Sequence, residues 1–325
     1  MPDTTVTDPL RIAVLGGRSW IATAAVIPAV EACAGAVLAG LGSRSGPVTY
    51  ADVLADPAVE AVYIALPNGM HLEWVERAAA AGKHVLCEKP LAATSVEVAQ
   101  MAAACDAAGV LLAEAYMTPF PPRSVEIARL RDAGDLGDVR HAEAAFTFTL
   151  VDDANYRWMP SQGGGALLDV GIYCLSPMLR AFGGLPAEVI ASAVTAPSGV
   201  DATTSIRLAW SARATASIVT SFELPERQSL HVAGTGGALA VERPFTPGPA
   251  DTAFTITRAD GSVETHETAG GNCYEAMIDA FAAAVRGRAA WPRPTSEVLA
   301  ITGLCEAIAA AAASAAASTD RGATP

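Results

Sequence analysis

The feature that most constrains this chain is a change of rhythm after residue 117. Before it, apolar runs at 11–15, 36–41, 61–66, 84–87 and 110–115 alternate with stretches of helical length and composition at 21–33, 71–81 and 95–108. Alternation of this kind predicts a parallel sheet covered by helices. After the prolines of 119–122 come a short helix at 125–133, a strand-like run at 139–149, the glycines 163–165 and an apolar helix ending near 182. Strand-like segments then follow in series at 188–194, 203–210, 214–222, 228–233, 238–243 and 253–258, and such a series predicts an antiparallel sheet. Helices at 274–285 and 296–317 close the chain, with 319–325 expected to fray.

A chain of 325 residues suits two domains. The break divides it into an α/β domain over 1–120 and an α+β domain, with a large and mostly antiparallel open sheet, over 121–325. Hydrophobic residues make up 51% and charged residues 17%, enough apolar surface for a core and too little charge for extensive disorder. A net charge of −13 opposes nucleic-acid binding, which needs clustered Lys and Arg. The six cysteines are dispersed and the histidines show no ligand spacing, so no metal site is expected. No basic stretch and apolar core open the chain, and the alanine-rich end at 300–317 is broken by Glu306 and small polar residues. Neither a leader nor a membrane span is therefore expected, and a cytoplasmic protein with reduced thiols is.

The first apolar run, Arg11-Ile12-Ala13-Val14-Leu15, enters Gly16-Gly17. Missing Cβ atoms in such a turn let main-chain N–H groups approach a diphosphate at a helix N-terminus, so the first domain reads as Rossmann-like. Leu66-Pro67-Asn68-Gly69-Met70-His71 ends another run, and His84-Val85-Leu86 leads into Cys87-Glu88-Lys89-Pro90 at a strand end, where such sheets carry their chemistry. Gly163-Gly164-Gly165-Ala166-Leu167-Leu168-Asp169-Val170-Gly171 follows in the second half. In this order the motifs resemble the glucose-fructose oxidoreductase, inositol dehydrogenase and MocA family, from residue 11 to about 315. The resemblance implies an enzyme that transfers a hydride between a nicotinamide cofactor and a secondary alcohol or ketone of a sugar-like substrate.

For the cofactor it implies Gly16, Gly17, Arg18, Trp20, Ile21, Leu66, Pro67, Asn68, His71, Glu88 and Lys89. The later glycines of the usual dinucleotide fingerprint are absent: Arg18-Ser19-Trp20-Ile21-Ala22 stands there. At the end of the second run Ser43-Arg44-Ser45 replaces the acidic residue that holds the ribose hydroxyls of NAD. A guanidinium with two hydroxyls suits a 2′-phosphate, so NADP is preferred and NAD is possible; the alternative is that Arg44 is a solvated loop residue. Only Gly46-Pro47-Val48 then separates this loop from Thr49–Leu54, where the family runs through a helix and a further strand. A parallel crossover needs a dozen residues or more, so the sheet is expected to be shortened by one β-α unit and the adenine side opened.

At the substrate end the resemblance implies a cis Lys89-Pro90 bond and a lysine that donates to the substrate oxygen. A strand-end lysine is otherwise a surface charge. Asp169 and Tyr173 are four residues apart on one helical face, where a phenol near a lysine and a carboxylate can exchange a proton with an alcohol or ketone. The alternative is a buried tyrosine bonded within its own helix. Lys89, Asp169 and Tyr173 are thus the expected catalytic set, and Tyr116, Asn155 and Arg157 are expected to bind substrate with them, unless the last two form only an exposed loop. Thr118 to Arg123 departs from the family pattern and leaves the sugar open. Tyr173 and Arg243-Pro244-Phe245 point to the dihydrodiol, xylose dehydrogenase and deoxysugar ketoreductase branch. A nucleotide-linked keto sugar is the first expectation, with a free sugar or a trans-dihydrodiol also open. A homodimer or homotetramer through the second sheet is expected, because an open apolar face associates. The rival function is a cofactor-binding regulatory or scaffolding protein without turnover, favoured by the shortened domain and opposed by the intact Lys89, Asp169 and Tyr173.

Overall fold

The computed structural model describes residues 8–322, with side chains to 318. The leader expectation for residues 1–7, and 323–325 of the tail expected to fray, lie outside the described residues. The chain divides into two compact units: residues up to Phe120 with Asn272–Leu299, and Pro121–Gly271 with the chain from Ala300 onward. A linear division at 120 would place 272–299 in the second domain. Polar ties hold that segment in the first unit instead: Arg286 Nη1 meets Glu60 at 2.8 Å, Arg293 Nε meets Glu114 at 2.8 Å, and the Cys33 thiol donates to Asp279 at 2.6 Å.

The first unit holds strands β1 (Leu10–Leu15), β2 (Ala36–Gly42), β3 (Ala61–Ile64), β4 (His84–Glu88) and β5 (Leu112–Ala115), all parallel, in the order β2-β1-β3-β4-β5. Helices α1 (Ile27–Ala32), α2 (Tyr50–Ala55), α3 (His71–Ala80) and α4 (Ser95–Ala108) connect them. Continuous apolar runs such as Ala61–Ile64 are buried throughout because helices cover both faces of a parallel sheet. Val62, Ile64, Val75, Val85, Val98 and Met101 share one core cluster, which Val298 joins from the far end of the chain. Between β2 and β3 there is no strand, only α2, started by a Thr49–Asp52 capping box. The sheet is therefore one β-α unit short, and β2 becomes an edge with Val37 and Leu41 41% and 42% exposed.

The second unit opens with α5 (Pro122–Asp132), whose proline stands in the first turn where its missing N–H costs nothing. Eight strands follow as one sheet: β6 (Val139–Thr147), β7 (Glu188–Thr195), β8 (Asp201–Ser211), β9 (Ala214–Ser221), β10 (Arg227–Gly234), β11 (Gly237–Glu242), β12 (Ala253–Arg258) and β13 (Val263–Glu267). Their order is β13-β12-β11-β10-β6-β9-β8-β7, antiparallel except where β6 meets β9. The edge strand β13, Val-Glu-Thr-His-Glu, lacked the apolar alternation that betrays a strand.

α6 (Ile172–Phe182) packs on β6 and β9. The cross-strand row Val232, Ala142, Ala216 and Leu208 is buried. One residue along, the row His231, Glu143, Ser217 and Arg207 is exposed. Period-two alternation thus sets charges on the open face beside the exposed Ile190 and Val194 of β7. α7 (Cys273–Val285) belongs to the first unit, and the boundary at 299 falls inside α8 (Thr295–Gly322). Pro160–Phe182 and Thr295–Ser318 are each long and apolar enough to cross a membrane; the first is mostly buried, and α8 buries a stripe of Val298, Ile301, Leu304, Ile308 and Ala312.

Candidate active site

β4 delivers Lys89 to the C-terminal edge of the parallel sheet, and the Lys89-Pro90 bond is cis, as the resemblance implied. The main-chain groups around that bond are pinned. Lys89 N–H donates to Glu88 Oε2 at 3.2 Å and Leu91 N–H to Glu114 Oε1 at 2.9 Å. Each carboxylate is held in turn, Glu88 by the Tyr63 hydroxyl and Glu114 by Arg293 Nε at 2.8 Å. Burial pushes Glu88 above the usual carboxylate range, while the Tyr63 bond and the Lys89 charge pull it back. Tyr63, wholly buried, is pushed well above the ordinary phenol value by desolvation and by Glu88, and so stays a donor.

His71 was expected at the cofactor. It is 0% exposed, with Nε2 2.8 Å from Leu66 O and Nδ1 3.1 Å from both Pro90 O and Leu91 O. Its ring ties the Leu66-Pro67-Asn68 loop to the lysine turn instead of presenting itself to a ligand. Burial holds it below the ordinary histidine range, with the three carbonyls and Glu114 opposing. Asn68, 8% exposed, opens a short 3₁₀ turn after Pro67. Tyr116, expected to face substrate, is 2% exposed with the Arg293 guanidinium 4.1 Å from its ring centroid.

Gly16 needs its positive φ of +87°, and a Cβ there would overlap the Ala65 carbonyl. Its N–H and that of Gly17 both donate to Gly42 O at 3.1 Å, so the two glycines join the β1 and β2 loops and do not offer these N–H groups to a phosphate. The helix start beyond them, at Trp20 and Ile21, leaves first-turn N–H groups without intrahelical partners. Ser19 Oγ caps it, accepting from Ala22 N–H at 3.3 Å. Trp20 is 78% exposed. Arg44 is exposed on the β2 loop, and Arg18 reaches over the same loop, its Nη2 3.8 Å from where a Cβ on Gly46 would stand. Ser43, Arg44 and Ser45 thus lie on one short loop that Arg18 also approaches.

In the second unit, the 163–165 glycines wrap the preceding segment: Gly165 N–H donates to Arg157 O at 2.9 Å, and a Cβ on Gly164 would overlap that carbonyl. Asn155 Oδ1 accepts from Arg157 N–H at 3.1 Å. The helical stretch after the glycines begins as a π-type turn, Leu167–Gly171, a form that recurs at functional sites. It carries Asp169, 7% exposed, which accepts from Arg157 Nε at 2.7 Å. Burial opposes the charge on Arg157, yet Asp169 keeps its pKa above the usual value. Tyr173, 3% exposed, stands on the first turn of α6 with its ring against Phe146 and Phe245, at centroid distances of 5.4 and 6.1 Å.

Four supporting residues escaped the reading of the sequence. Tyr63, Glu114 and Arg293 hold the lysine turn. Arg123, 3% exposed, donates to Glu242 O, Arg243 O and Ala253 O at 3.0, 2.7 and 3.3 Å, and so braces the segment that puts Phe245 on Tyr173. The available signal was charge in the wrong place: Glu114 lies between alanines in a buried strand, and a buried charge demands a partner.

A parallel sheet with a glycine turn, a fixed strand-end lysine and a second sheet unit carrying a buried Asp–Arg pair and a tyrosine define a dinucleotide-dependent oxidoreductase. The chain belongs to the GFO/IDH/MocA oxidoreductase family. The family's "Oxidoreductase family, NAD-binding Rossmann fold" model matches residues 21–116, and its C-terminal domain model matches 125–240. The chain is 39% identical over 285 residues to the D-xylose 1-dehydrogenase (NADP(+)) 2 of Haloferax volcanii, covering 83% of this chain and 87% of that protein. It is 32% identical over 255 residues to the dTDP-3,4-didehydro-2,6-dideoxy-alpha-D-glucose 3-reductase of Saccharopolyspora spinosa, covering 74% and 76%. Among solved structures, the aldose-aldose oxidoreductase of Caulobacter crescentus with glycerol aligns at TM-score 0.87 and 28% identity over 95% of this chain and 98% of that one. The 3-ketoreductase of Actinomadura kijaniata with NADP and TDP-benzene aligns at 0.85 and 28% over 94% and 98%.

Proposed function

We propose that this enzyme is an NADP-dependent oxidoreductase acting on a CH–OH or C=O carbon of a sugar-like ring. The observation that carries the reading is the clamp on Lys89, because effort spent fixing a main chain this tightly makes sense where a side chain must be preorganised toward a developing charge. Lys89 donates to the substrate oxygen. Tyr173 gives or takes the hydroxyl proton, and Asp169, fixed by Arg157, orients the donors and binds sugar hydroxyls together with Asn155. The cofactor, when bound, supplies the hydride acceptor or donor. Arg44, Arg18, Ser43 and Ser45 hold its 2′-phosphate. Trp20, Ile21 and Asn68 contribute further cofactor contacts.

A free aldose is the favoured substrate, supported by 39% identity to a xylose dehydrogenase against 32% to a dTDP-sugar reductase. A nucleotide-linked keto sugar is the second reading, supported by the fold likeness to the 3-ketoreductase, TM-score 0.85. We assign the reaction to the cytoplasm, in keeping with six free, buried cysteines. Self-association is assigned to the open sheet face through its Glu143 and Arg207 charges. The test is calorimetric titration with NADPH and NADH, followed by NADP⁺ reduction with D-xylose and NADPH oxidation with a dTDP-keto sugar. Binding of neither cofactor ends the reading; turnover of one sugar class decides the substrate.

A further inference from the structure

Glu88 is the residue of the lysine turn with an unexplained environment. It ends β4 beside Lys89, where the Lys89 and Glu114 charges and the Tyr63 and Tyr274 phenols are near enough to interact with it. Desolvation and Glu114 oppose a negative charge there. One oxygen takes the Lys89 N–H, and the other takes the hydroxyl of a fully buried tyrosine on the neighbouring parallel strand. β3 and β4 pair so that Tyr63 stands opposite Leu86, two residues before Glu88, which lets the phenol reach along the strand to the carboxylate. An apolar Phe would fill the same space in β3, so the hydroxyl has its purpose in this bond.

We propose that Tyr63 is a positioning residue for the hydride-transfer reaction: its hydroxyl keeps Glu88 as a carboxylate that both anchors the Lys89 main chain and places a negative charge beside the Lys89 side chain. The proposal rests on Lys89 having the role assigned above. Protonation of Glu88 removes the acceptor charge at Lys89 N–H and the counter-charge to the ammonium together, so turnover falls on the acid side. Tyr63 sets where on the pH scale this occurs. A hydrogen bond to a charged group is worth enough to move that point by about one pH unit or more.

Two measurements test it, one independent of any substrate. The first is the infrared protonated-carboxyl stretch across a pH series in the full-length protein, in wild type, Tyr63→Phe and Glu88→Gln. The Glu88 band, identified by its loss in Glu88→Gln, appears at a pH higher by about one unit or more in Tyr63→Phe. The second is the pH profile of kcat with NADPH and the sugar that turns over. In Tyr63→Phe the acid limb moves up by the same interval and kcat on the alkaline side returns to within about threefold of wild type, while KM for NADPH is unchanged. Glu88→Gln lowers kcat at every pH and abolishes the limb. An even loss across pH in Tyr63→Phe, or an unmoved carboxyl band, overturns the proposal and leaves Tyr63 as core packing. Failure of the function assignment shows instead as absent turnover in wild type, while the infrared result still reads the Tyr63–Glu88 bond.

Discussion

The lysine turn and the loop after β2 lie at the same C-terminal edge of one parallel sheet, yet they are built in opposite ways. Around Lys89, two carboxylates, an imidazole, a phenol and a guanidinium from 179 residues beyond Glu114 fix the main chain. The loop at Ser43–Val48 is short and largely exposed, with one Ser43 N–H to Val48 O bond of 3.0 Å across it. The difference teaches where precision is needed. A group acting on a transition state gains from being preorganised, whereas a guanidinium meeting a phosphate tolerates adjustment because its attraction is long-ranged and its fork has five donors.

The comparison breaks most readily at its rigid side. Arg293→Met leaves Glu114 as an uncompensated buried charge beside Leu91, and removal of one partner of such a pair costs about 3–5 kcal/mol. A denaturant midpoint within experimental scatter of wild type would show that the clamp is dispensable. Next comes chemistry. Lys89→Met lowers kcat roughly 10²–10³-fold with NADPH affinity retained, and Tyr173→Phe lowers it by about 10²-fold or more with the fold intact. Near-normal turnover in both would move the chemistry to other residues.

On the exposed side, Arg44→Ala weakens NADPH about 10- to 100-fold with little change for NADH, the range for a lost bond to a charged group. Equal losses for both cofactors would remove the 2′-phosphate assignment, and if Arg18→Ala alone gives the selective loss, Arg18 is the residue that reads the phosphate.

The smallest effect concerns the returning segment. The Arg286 bond holds the Glu60 carboxyl below the usual range, so its contribution is complete above the unfolded value near 4.5 and disappears as pH falls through the lower folded value. Glu60 is a third exposed, so solvent screening limits the term to about 1 kcal/mol or less. Arg286→Ala should remove that part of the acid sensitivity of the melting temperature, and an unaltered acid slope would show that the pair contributes nothing.

The architecture was legible because burial writes periodicity into a chain. Continuous apolar runs marked the parallel strands, and three residues between Ser45 and Thr49 were too few for a crossover, so the missing strand could be foreseen. Lys89, Asp169 and Tyr173 were visible as polar residues at motif positions. What could not be read was pairing across long separations. Glu114 and Arg293 look unrelated along the chain, and nothing in the Leu66–His71 loop discloses that its histidine turns inward to carbonyls twenty residues on. The charges on the open sheet face went unread for a local reason: β6 reads as alanine-rich and apolar, while its outward register places Glu143 among the charges of β8 and β10.

The return of residues 272–299 to the first unit has a consequence for inheritance and engineering. The two units interleave along the chain, which leaves the first at 120, returns to it at 272 and leaves it again at 300, inside α8. A fragment ending at 120 would carry Glu114 and Glu60 without Arg293 and Arg286, and would be a damaged object, not a portable cofactor cassette. Exchange of one unit between relatives therefore requires junctions at 120, at 271 and inside α8 near 299, so that 272–299 stays with the strands whose Glu60 and Glu114 it holds.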